Sequence, residues 1–352
     1  MASAHTINVR SPEGTYPIVI EANALAELGA RAHAYGLDKH VVIATDTNVA
    51  PRYAEALRAQ LPNAHVITMP SGEQYKHLET VRHFYDELVR LKADRHTTVI
   101  ALGGGVVGDT VGFTAATYMR GLRLVQVPTT LLAMVDSSVG GKAGVDLPQG
   151  KNLVGAFKQP ELVLIDPAVL QTLPPEQWRA GMAEVLKHGL IADEGLLEPN
   201  MGEPANAVAM IARAVQVKVD VVEQDPYEAN IRAYLNLGHT FAHAIEQVTQ
   251  YAWLHGDAVG VGLRLASLLS VRVGVCQRLG LADRVEGLLA HYGLPRTIGT
   301  LDPQAIYAAM ATDKKWQAGE SRFILLEDIG KPMIAKGIAK ADVMAVLETV
   351  KG

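Results

Sequence analysis

The 352-residue sequence predicts an α/β protein in two parts: a mostly parallel sheet domain over residues 1–172 and a mainly α-helical domain over residues 173–352. Two observations carry this. Short runs rich in Val, Ile and Leu alternate with helix-periodic segments through the first half, the arrangement that builds a parallel sheet covered on both faces. From about Pro174 onward those runs give way to long helical stretches.

Taken in order, residues 6–9 and 17–21 read as a hairpin around Gly14. Segments 41–44, 65–68, 97–102, 124–127 and 162–165 are apolar enough to be buried strands, with helices at 50–60 and 78–92 between them. The second part reads as helices over 177–191, 205–224, 231–249, 257–279 and 283–291, with a late hairpin, 322–326 and 333–338, around Gly330. Neither a repeat nor a low-complexity tract interrupts the chain.

Hydrophobic residues make up 49% and charged residues 20%, the proportions of a globular enzyme with ample core. A net charge of −5 gives no reason to expect nucleic acid or an anionic membrane as partner. Cys276 is the single cysteine, which excludes an intrachain disulfide, and its apolar neighbours predict a buried, inert thiol. The N-terminus lacks the basic-then-apolar layout of a signal peptide. The most apolar stretch, 258–276, is interrupted by Arg264 and Arg272 and reads as a packed core helix rather than a membrane span. The expectation is a cytoplasmic protein.

His239 and His243 lie four residues apart, on one face of a helix that turns every ~3.6 residues. Taken alone, such a pair suggests two metal-binding imidazoles. Glu184, Lys187 and His188 upstream, and His255-Gly256-Asp257 downstream, supply a carboxylate, an ammonium and further imidazoles.

Strand 97–102 runs into Gly103-Gly104-Gly105-Val106-Val107-Gly108-Asp109, a G-x-G-x-x-G turn that opens a helix. Such a turn lets backbone approach a pyrophosphate at a helix N-terminus and makes the first part Rossmann-like. The usual ribose-binding acid ~20 residues further on is missing, since that region reads Val125-Gln126-Val127-Pro128-Thr129-Thr130. Either Asp46, at the end of an earlier strand, or Glu73 supplies it, or the turn is merely structural.

Cations cluster as well. Lys142 and Lys151 sit in glycine-rich segments read as loops after strand 124–127, and Arg120, Lys187, Lys218, Arg232 and the Lys314-Lys315 pair add to them. A small substrate bearing both phosphate and carboxylate needs several such donors.

These motifs together resemble the 3-dehydroquinate synthase family of sugar phosphate cyclases over nearly the whole chain. The runs Asp136–Lys142 (DSSVGGK), 183–189 (AEVLKHG) and 232–243 (RAYLNLGHTFAH) are its most specific parts. The resemblance implies an NAD- and zinc- or cobalt-dependent phosphorus–oxygen lyase of the shikimate pathway. Such an enzyme converts 3-deoxy-D-arabino-heptulosonate 7-phosphate to 3-dehydroquinate and phosphate. Transient oxidation by NAD, β-elimination of phosphate, re-reduction and intramolecular aldol closure would follow in turn.

By the same resemblance the metal ligands are Glu184, His239 and His255, while His243 faces substrate, which corrects the reading from the histidine pair alone. Lys142, Asn152 and Lys314-Lys315 would bind phosphate, with Arg120 reaching across a homodimer interface. Lys218, Arg232 and Asn236 would hold the carboxylate, and Asp136 and Lys187 the hydroxyls near the metal. Asp46, Asn48, Ser71, Gly72, Glu73, Lys76, Gly104, Gly105, Val106, Val107, Gly108, Asp109, Thr129, Thr130, Lys142, Lys151 and Thr172 would line the NAD site. An active site in the cleft between the two domains is implied too.

Three rivals stand beside this reading. A metal-dependent alcohol or glycerol dehydrogenase would accumulate NADH and would not need the anion-binding set. A cyclase making a valiolone or a deoxy-inosose would differ in the carboxylate set. An inactive scaffold would lack a metal ligand or a glycine of the turn, and no such loss occurs.

Overall fold

In the computed structural model, which describes residues 4–37, 39–61, 63–278, 280–311 and 321–352, the chain forms two units, Met1–Pro174 and Pro175–Gly352. The first unit is built on a seven-stranded sheet. Strands β1 (His5–Ser11) and β2 (Gly14–Ile20) form the antiparallel hairpin that the sequence predicts around Gly14. β3 (Val41–Asp46), β4 (Ala64–Met69), β5 (Thr98–Gly103) and β6 (Arg123–Pro128) follow, all parallel to their neighbours.

A second hairpin, β7 (Lys142–Leu147) and β8 (Gly150–Phe157), forms a separate two-stranded sheet. β9 (Leu162–Ile165) then returns to the main sheet, whose order is β1-β2-β9-β6-β5-β3-β4. Strands β5 and β9 are buried along their whole length, and β3 and β6 nearly so, as their unbroken apolar runs require of strands covered on both faces.

Helices α1 (Glu55–Gln60), α2 (Leu78–Arg90) and α3 (Gly105–Thr117) connect the strands. Phe84 and Leu88 of α2 and Val107 and Val111 of α3 share one core cluster with Val42, Ala44, Val99 and Leu124 of the sheet. The order has one functional consequence. From β3 the chain crosses to β4 on one side, and from β5 it crosses to β6 on the other. Neighbouring strands β3 and β5 therefore mark a topological switch point, and open α/β sheets bind ligands outside the carboxyl ends of the strands at such a point.

The β7–β8 hairpin corrects the expectation of glycine-rich loops around Lys142 and Lys151. Its glycines serve close strand approach. A Cβ on Gly144 would stand 2.8 Å from the Val154 carbonyl oxygen, and one on Gly155 would stand 2.6 Å from that of Ala143. Val145 meanwhile packs with Val81 and Phe113, so the hairpin has a buried face.

The second unit contains α4 (Pro175–Ile191), α5 (Ala207–Gln224), α6 (His239–Val248), α7 (His255–Arg272), α8 (Leu281–His291), α9 (Pro303–Ala311) and α10 (Lys340–Thr349). The hairpin β10 (Arg322–Asp328) and β11 (Lys331–Lys336) lies where the sequence puts it, around Gly330. From Ala180 to Ile191 every residue of α4 is buried, charged ones included.

Two helices differ from expectation. The segment 231–249 is not one helix: Ile231–Asn236 is a 3-10 turn, Gly238 is left-handed at φ +78°, and α6 starts only at His239. The cause is α7, whose backbone passes so close that a Cβ on Gly262 would stand 2.2 Å from the Gly238 carbonyl oxygen. The predicted helix 257–279 ends at Arg272 because Gly274 turns left-handed at φ +75°, and Cys276 is buried just beyond, as expected. The sequence reading did not anticipate α9 and α10. Among the described residues no helix is long and apolar enough to cross a membrane.

Candidate functional site

In the second unit α4, α6 and α7 bring three metal-donor side chains together. Glu184 Oε1 lies 3.3 Å from His255 Nε2 and 3.5 Å from His239 Nε2, and one donor atom of each residue falls within 4.8 Å of the others. A tetrahedral zinc ion bonded at about 2.0–2.1 Å separates its donors by about 3.3–3.4 Å, so the spacing fits such an ion. The donors are graded in exposure: Glu184 is 2% exposed, His239 10% and His255 34%.

Both imidazoles are oriented through Nδ1. His239 Nδ1–H donates to the Leu237 carbonyl at 3.1 Å, and His255 Nδ1–H donates to Glu246 Oε1 at 3.4 Å. Each ring thus turns its Nε2 toward Glu184, the second-sphere arrangement common around metal-binding histidines.

Electrostatics follow from burial and neighbours. Burial alone would raise the Glu184 carboxyl, but the Lys187 and His239 charges hold it well below the usual range. Lys187 Nζ stands 2.5 Å from Glu184 Oε2, one helical turn away, with both side chains buried. Burial depresses His239 to about 4 against a smaller opposing pull from Glu184. Burial acts on His255 in the same sense, yet hydrogen bonds to Glu184 and Glu246 outweigh it and raise the group to about 10.

His243, one turn along α6, is exposed, with its ring 5.6 Å from that of His239 and 6.5 Å from that of His255. It lies beside the donor triad and is not one of the three grouped donors.

Two further cations of the expected site, Lys218 and Arg232, occupy buried positions. Lys218 is 6% exposed on α5, and Arg232 is 2% exposed in the 3-10 turn before α6. Asp225 shapes that turn: its carboxylate accepts backbone N–H bonds from Ala229 at 2.8 Å, Asn230 at 2.7 Å and Arg232 at 3.0 Å. The Arg232 guanidinium donates to the Pro226 carbonyl, and Asn236 Nδ2 donates to Glu228 Oε1 at 2.9 Å. Lys314 and Lys315 lie outside the described residues.

In the first unit the glycine turn stands at the switch point. β5 ends at Gly103, Gly104 is the N-cap of α3 with no side chain to cap it, and Val106, Val107 and Gly108 form the opening turn. The first backbone N–H groups of α3 thus have no capping side chain, the usual condition of an anion site at a helix start. Asp46 ends the neighbouring strand β3, and its Oδ1 accepts from the backbone N–H of Asn48 and Val49 at 2.8 and 2.9 Å. Thr129, whose N–H donates to the Gly103 carbonyl at 2.9 Å, has a buried hydroxyl with no partner among the described residues. Thr130 Oγ1 accepts from the Ala133 N–H. An uncapped helix start, an acid on the adjacent strand and an orphan hydroxyl together fit a dinucleotide.

Several of the other expected residues of this unit carry side-chain bonds, some of them to one another. Lys76 Nζ donates to Asp109 Oδ2 at 2.6 Å and to Asn152 Oδ1 at 2.7 Å. Burial works against the Lys76 charge, but Asp109 and Glu73 outweigh it and raise its pKa. Lys151 Nζ lies 3.3 Å from Glu73, Ser71 N–H donates to Thr47, and Thr172 bonds the Tyr53 hydroxyl. Gly72 holds a left-handed φ of +115° before a short 3-10 turn, Glu73–Tyr75. Asp136 rides on a π-helical turn, Ala133–Ser137; such irregular turns recur at functional sites. Lys142, the first residue of β7, and Arg120, at φ +65°, are both exposed.

Sequence reasoning missed Glu246, Asp225 and Asp146, the last of which accepts the Asn152 N–H at 2.7 Å and so holds Asn152 at φ +53°. Only Glu246 carried a signal. It falls at i, i+4, i+7 with His239 and His243, on the same helix face.

Comparisons with known proteins agree across the chain. The profile of the 3-dehydroquinate synthase N-terminal region matches residues 66–180 and that of the C-terminal region residues 181–316. A 3-dehydroquinate synthase of Crocosphaera subtropica is 41% identical over 98% of this chain and 99% of its own length. Among solved structures, a 2-deoxy-scyllo-inosose synthase complexed with carbaglucose-6-phosphate, NAD+ and Co2+ superposes with a TM-score of 0.88 at 27% identity, covering 98% of this chain and all of that one. The 2-epi-5-epi-valiolone synthase from Streptomyces hygroscopicus subsp. jinggangensis, with NAD+ and Zn2+ bound, gives 0.87 at 30% identity, covering 95% and 96%.

Proposed function

The chain belongs to the 3-dehydroquinate synthase family, and on that premise we infer that it converts 3-deoxy-D-arabino-heptulosonate 7-phosphate to 3-dehydroquinate and phosphate. The observation that carries the reading in this structure is the donor triad Glu184, His239 and His255 with buried Lys187 against it, at donor spacings that suit zinc or cobalt. When bound, the metal supplies Lewis-acid polarisation of a substrate hydroxyl, and NAD supplies temporary storage of a hydride.

The protein's own groups position and neutralise the substrate. Lys187 and Asp136 bond hydroxyls of the reacting carbons, and His243 faces substrate beside the metal. Lys218, Arg232 and Asn236 take the carboxylate. Lys142, Asn152, Arg120 and the Lys314-Lys315 pair take the phosphate, which itself removes the proton as it leaves. The dinucleotide lies at the carboxyl ends of β3 and β5. Asp46 there supplies the ribose acid that is missing downstream of the glycine turn; Asn48, Ser71, Gly72, Glu73, Lys76, Gly104 to Asp109, Thr129, Thr130, Lys142, Lys151 and Thr172 complete its lining. Preorganised charge of this kind lowers barriers by orienting reactants and stabilising developing anions.

The same reading makes the protein a cytoplasmic homodimer. Exposed Met119 beside Arg120, and exposed Leu153 and Phe157 on β8, are the apolar surface that supports a dimer. Light scattering that returned a monomer mass at micromolar concentration would count against it.

The deciding assay gives metal-loaded protein the heptulosonate phosphate with substoichiometric NAD and follows phosphate and NADH together. Many phosphates per NAD without lasting NADH is the expected result. NADH accumulating without phosphate would make the protein a dehydrogenase, and silence in both signals would point to another cyclase substrate.

A further inference from the structure

Glu246 has no role in the reading above, yet it is a carboxylate only 2% exposed, set directly behind the donor triad. Its position on α6 follows from helical spacing, since His239, His243 and Glu246 share one face. The side chain reaches the first residue of α7: Glu246 Oε1 stands 3.4 Å from His255 Nδ1, while His255 Nε2 faces Glu184 at 3.3 Å. The backbone of the same residue also acts. Its carbonyl accepts from the Tyr251 N–H at 2.7 Å and from the Thr249 hydroxyl at 3.1 Å, bracing the turn that leads to His255.

The two imidazoles are therefore held differently. His239 leans on the neutral Leu237 carbonyl, whereas His255 leans on a full negative charge. The distinction matters because His255 is the most exposed of the three donors and begins its helix with no side-chain cap. Packing restrains it least, so a hydrogen bond has the most to contribute there. A buried, ionised carboxylate is expensive, and a charged imidazole or a dication one ring away is what offsets it.

We propose that Glu246 is a positioning residue for the metal site: its carboxylate accepts the Nδ1–H of His255, fixes that ring and its tautomer, and leaves Nε2 as the donor to the ion. The proposal rests on the metal reading above. Glu246 touches neither ion nor substrate and acts through His255.

The test uses the full-length protein loaded with Co2+. Chelator competition gives its affinity and the visible ligand-field spectrum reports its coordination, for the wild type, Glu246→Gln and Glu246→Ala. Glu246→Ala is expected to weaken Co2+ binding about 10- to 100-fold and to change the spectrum. Glu246→Gln, which keeps an oxygen acceptor without the charge, falls between it and the wild type. A loss below about threefold, well short of what such partners contribute, or a weaker affinity with an unchanged spectrum, overturns the proposal. If Glu246→Ala does not fold, the same criteria apply to Glu246→Gln, which keeps the side-chain volume. A wild type that binds no Co2+ overturns the metal reading and this proposal together, whereas a wild type that binds it beside unaffected variants overturns this proposal alone.

Discussion

A Cβ placed on Gly256 would lie 2.0 Å from the carbonyl oxygen of Ala180. That contact joins the start of α7 to α4, one residue from His255 and one helical turn from Glu184. Close backbone approach at this crossing is what lets a residue at a helix start reach a carboxylate inside another helix. The bidentate pair between Arg179 and Asp257, at 3.1 and 2.9 Å, joins the neighbouring residues of the same two helices.

Gly256→Ala is therefore expected to push α4 and α7 apart. Overpacking of a tight core contact costs about 1–3 kcal/mol, and the metal affinity should fall with it. Urea unfolding of the metal-free protein and chelator titration of the loaded one measure the two effects. Wild-type values in both would show that the crossing relaxes without cost.

Metal uptake should release a proton. His255, raised to about 10, is protonated at neutral pH in the metal-free protein, whereas His239, depressed to about 4, is already neutral. Binding needs both rings neutral. Apparent affinity should then rise tenfold per pH unit, the slope of a single displaced proton, between about 6 and 9. Before metal is added the His255 proton stabilises the fold. Its pKa is raised above the unfolded value, so that contribution is complete below the unfolded pKa and disappears as pH climbs through about 10. Proton release on zinc addition in weak buffer gives the count, and a value near zero would contradict the charge state assigned to His255.

Asp46→Asn keeps an oxygen for the Asn48 and Val49 amides and removes only the charge. Stability should change little. Hydrogen bonds to charged groups contribute about 1.5–3 kcal/mol, so NAD affinity should fall about 10- to 100-fold. Equilibrium dialysis against NAD tests this, with Lys76→Met as a contrast. Lys76→Met breaks the bonds to Asp109 and Asn152, and should lower stability as well as affinity.

Asp225→Ala leaves three backbone N–H groups without their acceptor and frees the turn carrying Arg232. A rise in KM for the heptulosonate phosphate, with NAD and metal affinities near wild type, is the expected pattern. The acid limb of the stability profile should soften too. Burial opposes the Asp225 charge, but the amides of Asn230, Arg232 and Ala229 outweigh it and lower the pKa. That stabilisation is present above the unfolded pKa of about 3.9 and is lost as pH falls through the lower folded value.

Much of this was legible in the chain. Apolar runs specify strands when both sheet faces are covered, so β3, β5, β6 and β9 stood out. The β7–β8 hairpin was misread because Gly144 and Gly155 mark tight strand contact here, and glycine in a sequence also marks loops. The break at Gly238 was invisible because it depends on α7, a partner that only folding brings near. The sequence leaves the ribose acid open between Asp46 and Glu73, and strand order, which puts β3 beside β5, is what favours Asp46 in the function proposed above. The donor triad came from a motif resemblance and now has geometry. Asp225 could not be read at all, since a carboxylate that binds backbone amides leaves no side-chain pattern.

The gradient of exposure across the three donors carries a kinetic consequence. Glu184 and Lys187 sit on a stretch of α4 with no solvated face, so this ion pair is dehydrated once, when the helix docks. His255 alone of the three donors meets solvent over a third of its side chain. The edge at His255 is therefore where the ion is expected to load and be stripped, with the helices of the fold still in place.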